Sequence, residues 1–519
     1  MFGLYLKSKQ KASILLEETS TIAFFLALVI LVYPNVFVLA KTPNDPKYTL
    51  QKPFYSQIDA PAAWDYTVGT SSVVVAVIDV GVDILHEDLK ENIWQNQKEI
   101  PDNSLDDDGN GFVDDVHGWN FVENNNDVGI SVINEVDDSG AVTHGTVLAG
   151  LIGAVGDNNL LGTGLNWHIK IMPLRAINSS GGGSLGDVAQ AINYAVNNGA
   201  DIISISFVGD RETFNLQESL RLAHQRGVLV VAASGNNRND GTGNDNLSKN
   251  KQFPICSVFA GLEDWVLGVT SVDQNDKLSD FTNFGACVDI SAPGEYIYST
   301  QRYAPQYGYF KNFNGPWFGS SFSTPLVAGA AALVKSVRPD WKAKEIILDL
   351  LATADDIDGL NPGYVGQIGY GRLNVGRAVA RAVESKNIPP PPPVVIESKL
   401  INKQKAYSVQ VSANGQVLHN FPLANYSSKF SKWAVGDNLF IYARLNKNKI
   451  IVDAWDFSGN KKLSNFVLPG MSNLYDLKID QVWGDSPNAI LFIKRMGETQ
   501  RLIIDLPSQS WKTEDWQKN

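Results

Sequence analysis

The sequence predicts an α/β fold with a mostly parallel sheet and helices on both faces, followed by a C-terminal all-β module. Three observations carry this. Between residues 71 and 300 the apolar runs are continuous rather than alternating, as expected of strands covered on both faces. Amphipathic, glycine-stopped segments fall between those runs, and a repeated strand–helix–strand order gives a parallel sheet. Beyond residue 396 the texture changes to period-two alternation broken by turn residues.

The N-terminus reads as an address. Lys7, Lys9 and Lys11 precede the apolar run "TIAFFLALVILVYPNVFVLA" (21–40), which is about the length needed to cross a bilayer. Val38-Leu39-Ala40 offers a cleavage site, so residues 1–40 are either a removed secretory signal or a retained anchor. Both place the remainder outside the cytoplasm. The strands follow as "SVVVAVID" (72–79), "IKIMPL" (169–174), "DIISISF" (201–207), "GVLVVAAS" (227–234) and "WVLGVTSV" (265–272). The helices lie between them at 185–199 and 214–227.

The helical region closes near residue 386, and "NIPPPPPVV" forms an extended spacer over 387–396. In the β module (397–519), Trp433 with Gly436-Asp437 and Trp483 with Gly484-Asp485 suggest a repeat of about 50 residues. Two copies are too few to close a propeller, which leaves a small sandwich or partial repeat. Hydrophobic residues make up 44% and the formal net charge is −12, which argues against nucleic acid or an anionic membrane surface as the main partner. With only Cys256 and Cys287, a cysteine zinc cluster is excluded. One bridge or two buried thiols both remain open.

In a parallel sheet, ligands sit beyond the carboxyl ends of the strands. Asp79 ends the first strand. His144 stands among small residues in "THGTVLAGLIGA", where a helix start can approach the sheet. Ser321 lies in "GSSFSTPLVAGAAAL", before a helix whose apolar, small residues mark it as buried, with Pro325 suited to its first turn. Such a helix directs positive partial charge at a developing oxyanion. Asn236 ends "VLVVAASGNN" with an amide. Alone, each of these residues reads as a cap or a turn residue. Together, Asp, His and Ser in this chain order on an α/β sheet make a catalytic triad of the subtilisin order.

These blocks, with "QIDAPAAWD", "VAVIDVGV" and "SAPGEYIYST", resemble the subtilisin-like serine peptidases over about residues 57 to 384. The resemblance implies a serine endopeptidase acting on protein or peptide substrates. Asp79 would be the orienting acid, His144 the base, Ser321 (not Ser320) the nucleophile and Asn236 an oxyanion donor. It also assigns the stretch Ser206, Phe207, Val208 and Gly209 to substrate binding. Val80, Thr143, Val147 and Val208 depart from the family pattern, and Val208, at a usual glycine position, is expected to narrow the specificity pocket. Only residues 41–56 separate Ala40 from the first matching block, so the usual folding pro-segment is not evident. The alternative reading is a catalytically silent binding protein on the same fold. Attachment to a cell surface or envelope would run through the N-terminal segment or the β module.

One further motif precedes the base. In "DDDGNGFVDD" (106–115), Asp106, Asp108 and Asn110 take positions 1, 3 and 5 of a calcium loop, with Gly111 at the sharp turn. Asp114 falls at position 9, and His117 stands where the closing Glu of a full EF-hand would be. A short structural calcium site and a solvated acidic turn are the two readings, and the crowding of acids favours calcium.

Overall fold

A computed structural model describes residues 41–129, 141–236, 244–257 and 266–386, and the strands that lie between 396 and 516. The segments 1–40 and 387–395, to which the export address and the proline spacer were assigned, lie outside the described residues.

The continuous apolar runs form one seven-stranded sheet. Its strands are β1 (Val74–Asp79), β2 (Trp119–Asn120), β3 (Lys170–Arg175), β4 (Ile202–Ile205), β5 (Leu229–Ala233), β6 (Val266–Val272) and β7 (Ile290–Pro293). They lie in the order β2-β3-β1-β4-β5-β6-β7, and every pairing is parallel. Side chains along β1 show why the runs do not alternate. Val75 and Val77 enter one core and Ala76 and Ile78 enter the other, so both faces need apolar residues.

The first core is covered by helices α1 (Tyr48–Gln57), α2 (Ala60–Trp64) and α3 (Ala141–Gly153), with three more towards the end of the domain. Those three are α6 (Ser320–Val337), α7 (Ala343–Thr353) and α8 (Val375–Lys386). The second is covered by α4 (Leu185–Asn197) and α5 (Phe214–Arg226). Both begin on a side-chain cap: Ser184 accepts from the Gly186 N–H, and Thr213 from the Leu216 N–H. Gly227 ends α5 in the left-handed conformation. Cys256 and Cys287 form a disulfide, with their Cα atoms 5.1 Å apart, which decides between the two readings of the cysteines.

The helix behind Ser321 differs in one respect from expectation. It starts at Ser320, so Pro325 lies in its second turn rather than its first. A proline there cannot donate to the Ser321 carbonyl one turn earlier, and tertiary packing offsets the lost bond. Leu326, Val327, Ala328, Ala330, Ala331 and Leu333 are all fully buried, at 0% exposure.

Beta strands continue after residue 396 in antiparallel sheets of three (Ile396–Lys403 to Gln416–Pro422) and four strands (Ser431–Val435 to Lys461–Leu468), then four more (Asp476–Val482 to Ser510–Trp516).

Candidate active site

Sheet order reverses beside β1, because β3 packs on one side of it and β4 on the other. The crevice past the carboxyl ends of these strands is where an open parallel sheet presents ligands. Asp79 is the last residue of β1, and its carboxylate is buried at 2% side-chain exposure. His144, in the first turn of α3, donates from Nδ1 to both Asp79 oxygens, at 2.9 and 3.0 Å. The imidazole keeps 25% of its surface, so a reactant can reach it.

Glycine explains how a helix start comes this close to a strand end. A Cβ on Gly145 would lie 2.2 Å from the Gly81 carbonyl oxygen, so no larger residue fits without moving α3. Burial works against the charged imidazolium and is the largest influence on His144, yet the Asp79 charge and hydrogen bond together outweigh it. The pKa of His144 therefore stands above its ordinary 6.5.

Ser321 occupies the second position of α6, preceded by Gly319 at φ 149°, a conformation that L side chains rarely adopt. Asn236 sits just beyond β5. Its Oδ1 accepts from the Ser320 N–H at 2.9 Å, which leaves Nδ2 on the Gly319 side, at the start of the helix. The Ser321 hydroxyl donates to the Ser206 carbonyl at 2.8 Å.

Of the remaining sequence-read residues, Ser206, Phe207, Val208 and Gly209 directly follow β4. Ser206 is buried, while Phe207 and Val208 are half-buried against the second core. Val208 leans on Gly235, where an added Cβ would meet its Cγ2 at 2.8 Å. Gly209 is held by the chain itself. Its N–H donates to Phe253 O at 2.8 Å and its carbonyl accepts from Phe253 N at 2.9 Å, so its backbone is already paired within the chain.

The acidic loop is rearranged relative to its sequence reading. Carboxylate oxygens of Asp106, Asp108 and Glu99 lie within 4.8 Å of one another. Glu99 was missed because it falls before the motif, and only the folded turn brings it in. Asp114 instead accepts from the Asn103 and Ser104 N–H groups at 3.2 and 2.8 Å, and caps a neighbouring turn. The Asn110 side chain is also directed elsewhere: its Oδ1 accepts from Phe112 N and its Nδ2 donates to Asp115. Glu99 is 6% exposed, and its Oε2 is buried with no hydrogen-bond partner among the described residues. Burial first, and then the charges of Asp115 and Asp107, push the Glu99 carboxyl above its ordinary range. Three carboxylates converging on one point, one of them with an orphaned oxygen, suit a hard cation such as calcium.

A family model described as "Subtilase family" matches residues 70–371, more than half of the chain. The chain belongs to the subtilase family. It is 33% identical over 349 residues to a thermophilic serine proteinase of Bacillus sp. (strain AK1), covering 67% of this chain and 71% of that protein. It is 34% identical to a cell wall-associated protease of Bacillus subtilis (strain 168), covering 60% of this chain but only 31% of that relative. Among solved structures, a protease from Pseudoalteromonas arctica superposes with a TM-score of 0.50 at 29% identity, covering 66% of this chain and 100% of that one. This subtilase is a serine-type endopeptidase that acts on peptide or protein substrates. Among its described residues, no helix is long and apolar enough to cross a membrane.

Proposed function

We propose that the protein is an exported endopeptidase in which Ser321 is the nucleophile, His144 the general base and Asp79 the residue that orients and charges the base. The observation that carries this is the two-oxygen contact between Asp79 and His144 Nδ1, at 2.9 and 3.0 Å. It leaves Nε2 as the ring nitrogen able to take a proton.

In this reading Nε2 removes the Ser321 proton as Oγ attacks the peptide carbonyl carbon. The carbonyl π electrons move to oxygen, and Asn236 Nδ2 and the Ser321 N–H bind the oxyanion. As the tetrahedral intermediate collapses, the imidazolium gives its proton to the departing amine. Water then attacks the acyl-enzyme with the same nitrogen as base, releasing the acid and restoring Ser321.

The substrate-facing stretch is Ser206 to Val208, with the acyl half running along it. A second reading, a silent binding protein, draws on the Ser321–Ser206 hydrogen bond, in which the hydroxyl proton is given to a backbone carbonyl rather than to the base. A fluorophosphonate probe separates the two. It should label the wild-type protein and not Ser321→Ala; a folded wild type that takes no label refutes the hydrolytic reading.

Calcium belongs to the same proposal, held by Glu99, Asp106 and Asp108. There it would neutralise the converging acids and stiffen the loop. Export rests on the apolar segment at 21–40, and the cell wall-associated relative supports it. The chain is then organised as an export segment (1–40), a peptidase domain (41–386), a linker (387–396) and an all-β module (397–519). The strands after 396 support the module, to which we assign docking on substrate or on the cell envelope.

A further inference from the structure

An amide that binds an oxyanion works only if it is held in place before the charge develops. Asn236 leaves β5 through Ser234 and Gly235, and Gly235 turns the chain at φ 85°. The Ser234 N–H still donates to Val269 O on β6, at 2.8 Å. The two carbonyls before Asn236 are bonded elsewhere. Asn283 Nδ2 donates to Ser234 O at 3.0 Å, and Asn283 N donates to Gly235 O at 3.0 Å. The Asn283 amide is oriented in turn, because its Oδ1 accepts from Asp245 N at 2.9 Å. Thr282 faces Asn236 across the antiparallel bridge that results.

Behind this bridge lie the hydroxyls of Ser234, Thr270 and Thr282, three residues at 0% exposure. Their protons can be placed by elimination. Thr270 Oγ1 donates to Asn283 O at 2.7 Å, and a carbonyl has no proton to give in return. That uses the one Thr270 proton, so Thr282 Oγ1 is the donor in its 3.0 Å contact with Thr270. Ser234 Oγ is then the donor to Thr282, at 3.1 Å. Thr282 Oγ1 also accepts from Ser271 N at 3.3 Å. It gives one bond and takes two, which is its full capacity. A buried network satisfied in this way is rigid and has one arrangement.

These hydroxyls are too deep to meet a substrate, so any effect on chemistry passes through Asn236. Its Oδ1 accepts from the Ser320 N–H at 2.9 Å, and its Nδ2 lies on the Gly319 side. We propose that Thr282 is a positioning residue for the oxyanion. With Thr270, Ser234 and Asn283 it fixes the two peptide units before Asn236, and so sets where Nδ2 stands relative to Ser321. The inference rests on the assignment of Asn236 as an oxyanion donor and deepens it. A misplaced amide costs most when the oxygen carries its full charge, so the loss falls on kcat rather than KM.

Thr282→Val keeps the side-chain shape and removes the hydroxyl. On a peptide p-nitroanilide it should lower kcat roughly tenfold and leave KM within about twofold. Thr282→Ser, which keeps the hydroxyl, should recover most of that loss. Thr270→Val removes the acceptor of the Thr282 proton and should lower kcat in the same sense. Repeating Thr282→Val in Asn236→Ala protein separates positioning from general damage to the fold. With no amide left to position, the added substitution should change kcat by less than about twofold. An unchanged kcat in folded Thr282→Val or Thr270→Val overturns the proposal. So does a loss confined to KM, a Thr282→Ser protein as slow as Thr282→Val, or an undiminished loss in the Asn236→Ala background. An Asn236→Ala protein as fast as wild type would instead count against the oxyanion assignment itself.

Discussion

The crevice at Asp79 and the loop at 96–115 both gather charge, but they are built in opposite ways. Asp79, His144 and Ser321 are carried on the ends of a strand and two helices, and each end is fixed by packing far from the chemistry. The acids of the loop are carried on turns, with Asp102, Ser104, Gly109, Gly111 and Asp114 all at positive φ. In the crevice a negative charge meets an imidazole that it holds. In the loop, Glu99, Asp106 and Asp108 meet one another, softened only by donors such as the Asn110 and Gly111 N–H groups. The first arrangement pairs opposite charges within the chain itself, whereas the second brings like charges together and is the one to which we assign a cation.

Removing the charge from the crevice should have the largest effect. Asp79→Asn keeps the shape but offers an amide where Nδ1–H needs an acceptor, so His144 is no longer held in the productive tautomer. Triads of this kind lose roughly 10⁴-fold in kcat, about 5.5 kcal/mol in the barrier. Steady-state rates on a peptide substrate should show that loss with the melting temperature nearly unchanged. A loss below tenfold would mean the base is oriented by something else.

The loop should respond in stability rather than rate. Calcium at a hundredfold excess over its Kd would add about 2.7 kcal/mol to unfolding. Chelation should therefore lower the melting temperature by several degrees, and Glu99→Gln should remove most of that calcium-dependent difference. Asp114→Ala should leave the calcium-dependent part intact, because Asp114 caps a separate turn. Equal responses from the two variants would erase the distinction between ligand and cap.

A smaller effect tests how the crevice is assembled. Gly145→Ala sets a methyl group 2.2 Å from the Gly81 carbonyl and should cost roughly 1–3 kcal/mol in stability. It should cost relatively more in kcat, since the shift of α3 falls on the His144–Asp79 contact. A variant as active as wild type would mean that α3 yields elsewhere.

The two regions were also unequally legible in the sequence. Five of the seven strands, both helices over the second core and the position of Asp79 at a strand end follow from apolar runs and short local motifs, because these elements are locally determined; the short strands at 119–120 and 290–293 and the order of the sheet do not. What sequence missed is set by tertiary contact. Glu99 comes from outside the loop motif, and Asp114 and Asn110 are turned away by neighbouring N–H groups. Gly209 is paired to a residue distant in sequence, Phe253, and nothing in "SISFVGD" announces it. Pro325 misled locally, since a proline is expected in a first turn and packing tolerates it in the second. The disulfide between Cys256 and Cys287 required a Cα distance that sequence does not contain.

The smallest expected effect is the one in which the crevice acts on itself. The proposed mechanism needs neutral His144, whose pKa is raised from its ordinary 6.5 because the Asp79 charge and hydrogen bond exceed the opposing effect of burial. The acid limb of kcat/KM should therefore have its midpoint above 6.5, and in Asp79→Asn the residual activity should persist to lower pH. Stability runs the other way. A histidine whose pKa is raised on folding contributes its stabilisation fully below the unfolded pKa and loses it as pH rises through the folded value. Wild type should thus gain activity and lose this part of its stability across the same interval, and Asp79→Asn should flatten both curves. If neither the activity limb nor the stability curve moves in Asp79→Asn, Asp79 orients the imidazole without charging it.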